Sequence, residues 1–151
     1  MLRTVVTALL GALVLSGIAL AAPQKDTYTL GAKLTAGAEV PKAKNVPSAA
    51  TGRFTGTTVE LANDKARLTW KLTFSHLSGK AIAAHIHLGR PGKSGNVMVP
   101  LCAPCRSGIT GKAVVTHAQL HSIETGGTYV NVHTPKNAGG EIRGQLKATE
   151  S

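Results

Sequence analysis

Residues Ala66-Arg67-Leu68-Thr69-Trp70-Lys71-Leu72-Thr73-Phe74 alternate apolar and polar side chains without a break. A period of two puts Ala66, Leu68, Trp70, Leu72 and Phe74 on one face, the pattern of a strand with one side against a core. Asn63-Asp64-Lys65 just before it is a turn signal, and residues 52–61 are rich in Thr and Val, so the two segments read as a hairpin. Outward from this hairpin, strands are expected over residues 28–35, 82–88, 96–101, 111–115, 128–133 and 141–147. Ser78-Gly79, Arg90-Pro91-Gly92, Gly126-Gly127 and Asn137-Ala138-Gly139-Gly140 break the chain between them. A short helical turn is expected over residues 116–124 with Thr116 as N-cap. Residues 36–50, with Pro41 and Pro47, read as a long irregular loop. About eight short strands and no long helix define an all-β fold class, an antiparallel Greek-key sandwich or flattened barrel.

Composition narrows the field. With 151 residues there is room for one domain, and 42% hydrophobic residues are too many for a disordered chain. Aromatics make up 3%, which argues against a platform for stacking bases, so no nucleic-acid partner is expected. Two cysteines cannot hold a disulfide-built miniprotein, and the core must come mainly from Val, Leu, Ile and Ala.

Residues 1–21 have the three-part form of a signal peptide: Arg3, an apolar run from Val5 to Leu20, and small residues at Ala19-Leu20-Ala21. The run is nearly long enough for a membrane anchor, but the small-residue exit and the lack of basic residues beyond it favour cleavage. The expected location is therefore outside the cytoplasm, periplasmic or secreted, with no transmembrane segment after cleavage. Losing Arg3 takes the formal charge from +10 to +9. The basic residues are scattered from Lys25 to Lys147 and read as a solvated surface, with at most weak, salt-sensitive attraction to anionic surfaces.

The same alternation orients the histidines. Over residues 82–88 the apolar side is Ile82, Ala84, Ile86 and Leu88, so His85 and His87 share the opposite face. Over residues 128–133 Val130 and Val132 are the apolar side, leaving Tyr129, Asn131 and His133 facing the other way. Were the two strands neighbours, three imidazoles would lie close enough for one ion. Neutral imidazole suits copper and zinc. The same rings can instead hydrogen-bond loop backbone and brace the turns.

Cys102-Ala103-Pro104-Cys105 reads as a local disulfide in an exported protein. A second metal set, Cys102, Cys105, His117 and His121, has nearly the spacing of a four-ligand zinc site, provided the thiols stay reduced. No nucleophile elbow, phosphate loop, H-E-x-x-H or acid–base carboxylate pair is present, and the chain reads as non-enzymatic.

Ala84-His85-Ile86-His87, Gly89 and Gly95, then Tyr129-Val130-Asn131-Val132-His133-Thr134 and Gly139-Gly140-Glu141-Ile142-Arg143-Gly144-Gln145-Leu146 together resemble the CHRD domain. That module was first described in chordin, a secreted antagonist of bone morphogenetic proteins, and also occurs in bacterial exported proteins. The resemblance covers residues 27–148 and implies a β-rich extracellular domain, with no settled activity for single-domain members. A second resemblance is to copper/zinc superoxide dismutases, in which His85-Ile86-His87, His133 and Asn137-Ala138-Gly139-Gly140 have counterparts in the same order. It implies copper at His85, His87 and His133, outside a Greek-key barrel. The zinc-loop ligands have no counterpart here, and Glu141 stands where that family places a substrate-steering arginine, so efficient dismutation is not expected.

The leading expectation is an exported CHRD-like module that coordinates a metal ion, copper before zinc, through His85, His87 and His133. The first alternative is an envelope or extracellular protein-interaction module with no metal, in which Tyr129, Asn131, Glu141, Arg143 and Gln145 form a polar recognition face. The second is a dismutase-like copper protein.

Overall fold

The computed structural model describes residues 26–150; the expected signal peptide lies outside them. Nine strands are found among the described residues: β1 (Thr27–Thr35), β2 (Thr51–Leu61), β3 (Lys65–Ser75), β4 (Ala83–Leu88), β5 (Val97–Cys102), β6 (Ile109–Thr116), β7 (Thr128–His133), β8 (Ile142–Gln145) and β9 (Lys147–Glu150). The helix α1 (His117–Glu124) follows β6, and a 3-10 turn, Ala36–Ala38, opens the loop after β1. All strand pairs are antiparallel, in the order β5-β4-β7-β8-β1-β2-β3-β6, with β9 also on β1. The two ends of this path, β5 and β6, lie against each other, so the sheet curls into a nearly closed barrel. No described helix is long and apolar enough to cross a membrane.

The deciding stretch behaves as its alternation requires. Ala66, Leu68, Trp70 and Leu72 of β3 are buried, while Arg67 and Lys71 are exposed. The β2–β3 hairpin turns at Asn63 and Asp64, both in the left-handed region that Asn and Asp tolerate best among side chains with a Cβ. Leu30 and Leu34 from β1, Phe54 from β2, Ile86 from β4, Val130 and Val132 from β7, and Ile142 from β8 fill the interior, each at most 1% exposed. Fully burying one such side chain is worth about 1.5–3 kcal/mol. Phe54 stacks on Trp70 with centroids 6.4 Å apart, and the indole lies across Gly111, where a Cβ would meet its Cζ2 at 2.3 Å. Helix α1 contributes Leu120 and Ile123 to the core, and its N-terminus carries a capping box between Thr116 and Gln119.

Two details differ from the sequence pattern. The expected strand over 141–147 is two strands, because the pairing with β7 ends before Leu146 while that with β1, present at Arg143 opposite Thr35, resumes after it in the same register. Residues Ile142–Gln145 pair with β7, the buried Leu146 donates its N–H to Thr128 O at 3.0 Å, and Lys147–Glu150 then pair with β1. In the 82–88 segment Ala84 and Ile86 are fully buried, but Ile82 and Leu88 are 41% and 42% exposed. The inward phase therefore holds only for the middle of β4, whose pairing with β5 shifts register on either side of His85-Ile86.

Candidate metal centre

Strand pairing brings the three histidines together. In the β4–β7 ladder His85 lies opposite Asn131, His87 opposite Tyr129 and Ala83 opposite His133, so His133 sits diagonally across from His85. Ring centroids are 4.9 Å apart for His85 and His133, 5.5 Å for His85 and His87, and 5.9 Å for His87 and His133. One ring nitrogen from each histidine lies within 4.8 Å of the others. Nitrogens bound at about 2.0–2.1 Å to a single ion stand roughly 3.5 Å apart, so the widest separation in the set would close by about 1 Å at most.

The hydrogen bonds fix which nitrogens face inward. His87 Nδ1 lies 3.0 Å from Gly95 O, and His133 Nδ1 lies 3.0 Å from Ala138 O. A carbonyl can only accept, so both Nδ1 atoms carry the proton and both Nε2 atoms carry a lone pair. His87 Nε2 is buried without a partner. His133 Nε2 lies 3.0 Å from His85 Nδ1, which therefore donates to it; His85 becomes a third lone-pair donor once its proton moves to the other ring nitrogen. Burial lowers the pKa of all three rings, and for His85 the neighbouring His133 and His87 add to the effect, bringing it to about 4. All three are held as neutral imidazoles, the form that ligates metals.

This face of β4 and β7 points away from the barrel interior, yet it is covered. Every residue of β7 is buried, Tyr129, Asn131 and His133 included. Three loops lie over it. Residues 36–50 bring Glu39, 2% exposed, to accept from Asn131 Nδ2 at 2.6 Å, and Lys44 N donates to Asn137 Oδ1 at 2.9 Å. Residues 89–96 are held by Arg143, whose Nη2 donates to Lys93 O at 2.8 Å and whose guanidinium carbon stands 3.4 Å above the Tyr129 ring. Tyr129 in turn stacks on His87 at 5.0 Å and accepts from Gly95 N through its hydroxyl. Gly95 can bring its carbonyl to His87 only without a side chain, since a Cβ would fall 1.9 Å from Leu88 O. Residues 134–141 supply Ala138 O and are tied down by Glu141, which accepts from Ser78, Thr134 and Asn137.

The expected polar recognition face is therefore not on the surface. Tyr129, Asn131, Glu141 and Arg143 are 4%, 2%, 0% and 2% exposed, and Gln145 is half-buried with its amide donating to the carbonyls of Gly89, Gly126 and Thr128. These side chains hold loops over the histidines. Hydrogen bonds from Ser78, Thr134 and Asn137 keep Glu141 below the usual carboxylate range despite its burial. Burial raises Glu39 to about 7, with Arg143 opposing the rise.

The second expected metal set is not assembled. Cys102 and Cys105 are joined by a disulfide, which consumes both thiolates. His117 and His121 are exposed on α1, and His121 faces Glu124 at 4.0 Å. Among the described residues, the grouping of three or more metal-ligating side chains is His85, His87 and His133.

The CHRD domain family profile matches residues 30–146, nearly the whole described chain. The chain belongs to the CHRD domain family. No curated protein and no solved structure matches it. In this CHRD domain the His-x-His strand and the strand ending in His133 are neighbours, and the Asn-Ala-Gly-Gly turn provides the carbonyl that orients His133. Glu39, Gly95, Ser78 and Thr134 complete the shell; Gly95 and Thr134 fall among the residues that carry the CHRD resemblance, while nothing in the local sequence marks Glu39 and Ser78, which act through contacts 92 and 63 residues away.

Proposed function

We propose that this protein is an exported CHRD-domain module that binds one metal ion, copper in preference to zinc, through His87 Nε2, His133 Nε2 and a ring nitrogen of His85. The observation that carries this reading is the convergence of three neutral imidazoles, two of them locked by backbone carbonyls so that their lone pairs face the cluster. A buried, unpartnered His87 Nε2 is costly unless something occupies it. The donor set has no thiolate and no carboxylate, and for nitrogen ligands Cu(II) binds more tightly than Zn(II). The disulfide suits a protein that works in an oxidising compartment, as the signal-like N-terminus suggests.

Titrating metal-free protein with Cu(I), Cu(II) and Zn(II) tests the reading. Wild type should take up one equivalent of copper, and His85→Ala/His87→Ala should lose it with the fold intact by circular dichroism. Equal uptake by both proteins, or none by wild type, removes the metal assignment.

A further inference from the structure

On the opposite side of the barrel, the outward phase of β9, β1, β2, β3 and β6 forms a surface of one charge sign. It carries Lys147 on β9, Lys33 on β1, Arg53 on β2, Arg67 and Lys71 on β3, and Lys112 on β6, all exposed. Lys33 stands directly opposite Arg53 in the ladder. Like charges in that position destabilise a sheet. None of the seven acidic residues falls in the outward phase of these strands, and none of the six cations is ion-paired among the described residues, where the ion pair is His121–Glu124. At about 4.8 Å per strand, the band crosses five strands and spans about 19 Å. Small residues form its floor: Gly31, Thr55 and Thr110 share a row with Lys147 and Lys71, and the long basic side chains wall a groove of about 1320 Å³.

We propose that this groove binds an acidic polysaccharide, a linear chain carrying sulfate or carboxylate groups. The length of the band favours a polymer over a single anion, and unopposed cations on adjacent strands match a repeating negative charge. Threonine hydroxyls between the cations (Thr55, Thr57, Thr69, Thr110) are suited to sugar hydroxyls. Around Lys33, Arg53, Lys71, Lys112 and Lys147 no aromatic or aliphatic side chain projects outward; Val59 and the exposed Val114 flank Arg67 beyond the groove. A bilayer-docking face inserts apolar groups, a protein interface relies on buried apolar or aromatic anchors, and single-stranded nucleic acid stacks on rings.

Binding of heparin oligosaccharide and of polygalacturonate at low salt tests the assignment, with phosphatidylglycerol-containing vesicles and single-stranded DNA as the competing arms. Lys33→Gln/Arg53→Gln/Lys71→Gln is compared with Lys80→Gln/Arg106→Gln/Lys136→Gln, which removes the same charge from exposed positions elsewhere. The groove variant should weaken glycan binding at least tenfold and flatten its salt dependence by two to three counterions, about one per lost contact, while the control variant changes it less than threefold. Equal loss in both variants, or a groove-dependent affinity for vesicles or DNA that exceeds the affinity for either glycan, overturns it. Metal-free and His85→Ala/His87→Ala proteins should bind glycan as wild type does, so this proposal and the metal assignment stand or fall separately.

Discussion

Acid should loosen the proposed metal centre far less than it loosens three ordinary histidines. An imidazole titrating near 6.5 is about ten-elevenths protonated at pH 5.5, so each independent ring would cut metal affinity roughly elevenfold there. Three such rings would lower it about 10³-fold between pH 7.5 and 5.5. Here burial, with the repulsion that a proton on His133 or His87 would add, brings His85 to about 4, and at pH 5.5 only about 3% of it is protonated. Its share of the acid effect vanishes. Burial lowers His87 and His133 as well, so about 10²-fold, two rings at the ordinary value, is a ceiling and the fall should be smaller. A competition titration against a chromophoric chelator of known proton dependence measures it, with a flexible three-histidine peptide as reference. A fall of a thousandfold or more would refute the reasoning, because the rings would then titrate as free imidazoles. The sign carries over to stability. The folded state favours the neutral rings, so their contribution is complete above pH 6.5 and is lost as pH falls from there toward about 4. In a Glu39→Gln background, which removes the opposite pH dependence of that buried carboxyl, metal-free protein should melt at a lower temperature at pH 5 than at pH 7.

Replacing both cysteines by serine opens a loop with only Ala103 and Pro104 between its ends; denaturant melts should show a loss of about 2 kcal/mol or less, with copper stoichiometry unchanged because the pair supplies no ligand. Glu39→Gln should match wild type in stability at pH 5 and exceed it by about 1–3 kcal/mol at pH 8: the folded state favours the neutral acid, an advantage complete below 4.5 and lost as pH rises through about 7. Gly140→Ala should cost more than about 1 kcal/mol in thermal melts, since φ is +134° there and the added Cβ would lie 2.3 Å from Asn131 Nδ2 and 2.7 Å from Glu39 Oε2.

Alternation alone gave the barrel's strands and the side of each strand on which the histidines lie, because a period of two is set by backbone geometry and survives whatever packs outside. It could not say what covers the outer side. Tyr129, Asn131, Glu141 and Arg143 look like surface residues by phase and composition, yet three loops bury them, and that burial comes from contacts such as Glu39 with Asn131 that span most of the chain. The break at Leu146 was hidden for a related reason. An apolar residue continues the alternation equally well whether its strand keeps both partners or loses one, and only the end of the β7 ladder at Gln145 marks the break. The basic groove was illegible because Lys33, Arg53, Lys71 and Lys147 are far apart in sequence, and only the register places them in one band.

Bracing loops and ligating a metal look like rival roles for a histidine, but an imidazole has two nitrogens and this site divides them. His87 and His133 each use Nδ1 to hold a loop carbonyl, and that bond is what makes Nε2 the lone-pair nitrogen and sets the ring's direction. The loop contacts are therefore the orienting shell of the proposed centre, and losing them should damage both roles. His85 separates the roles: no loop carbonyl holds it, and its hydrogen-bonded partner is His133. If the histidines served only as braces, His85 would contribute a single bond to another ring, and alanine there would leave both loops in place. If they hold an ion, the same change removes one ligand of three. A His85→Ala protein with unaltered loops and wild-type copper affinity would leave bracing as the sole role of the cluster.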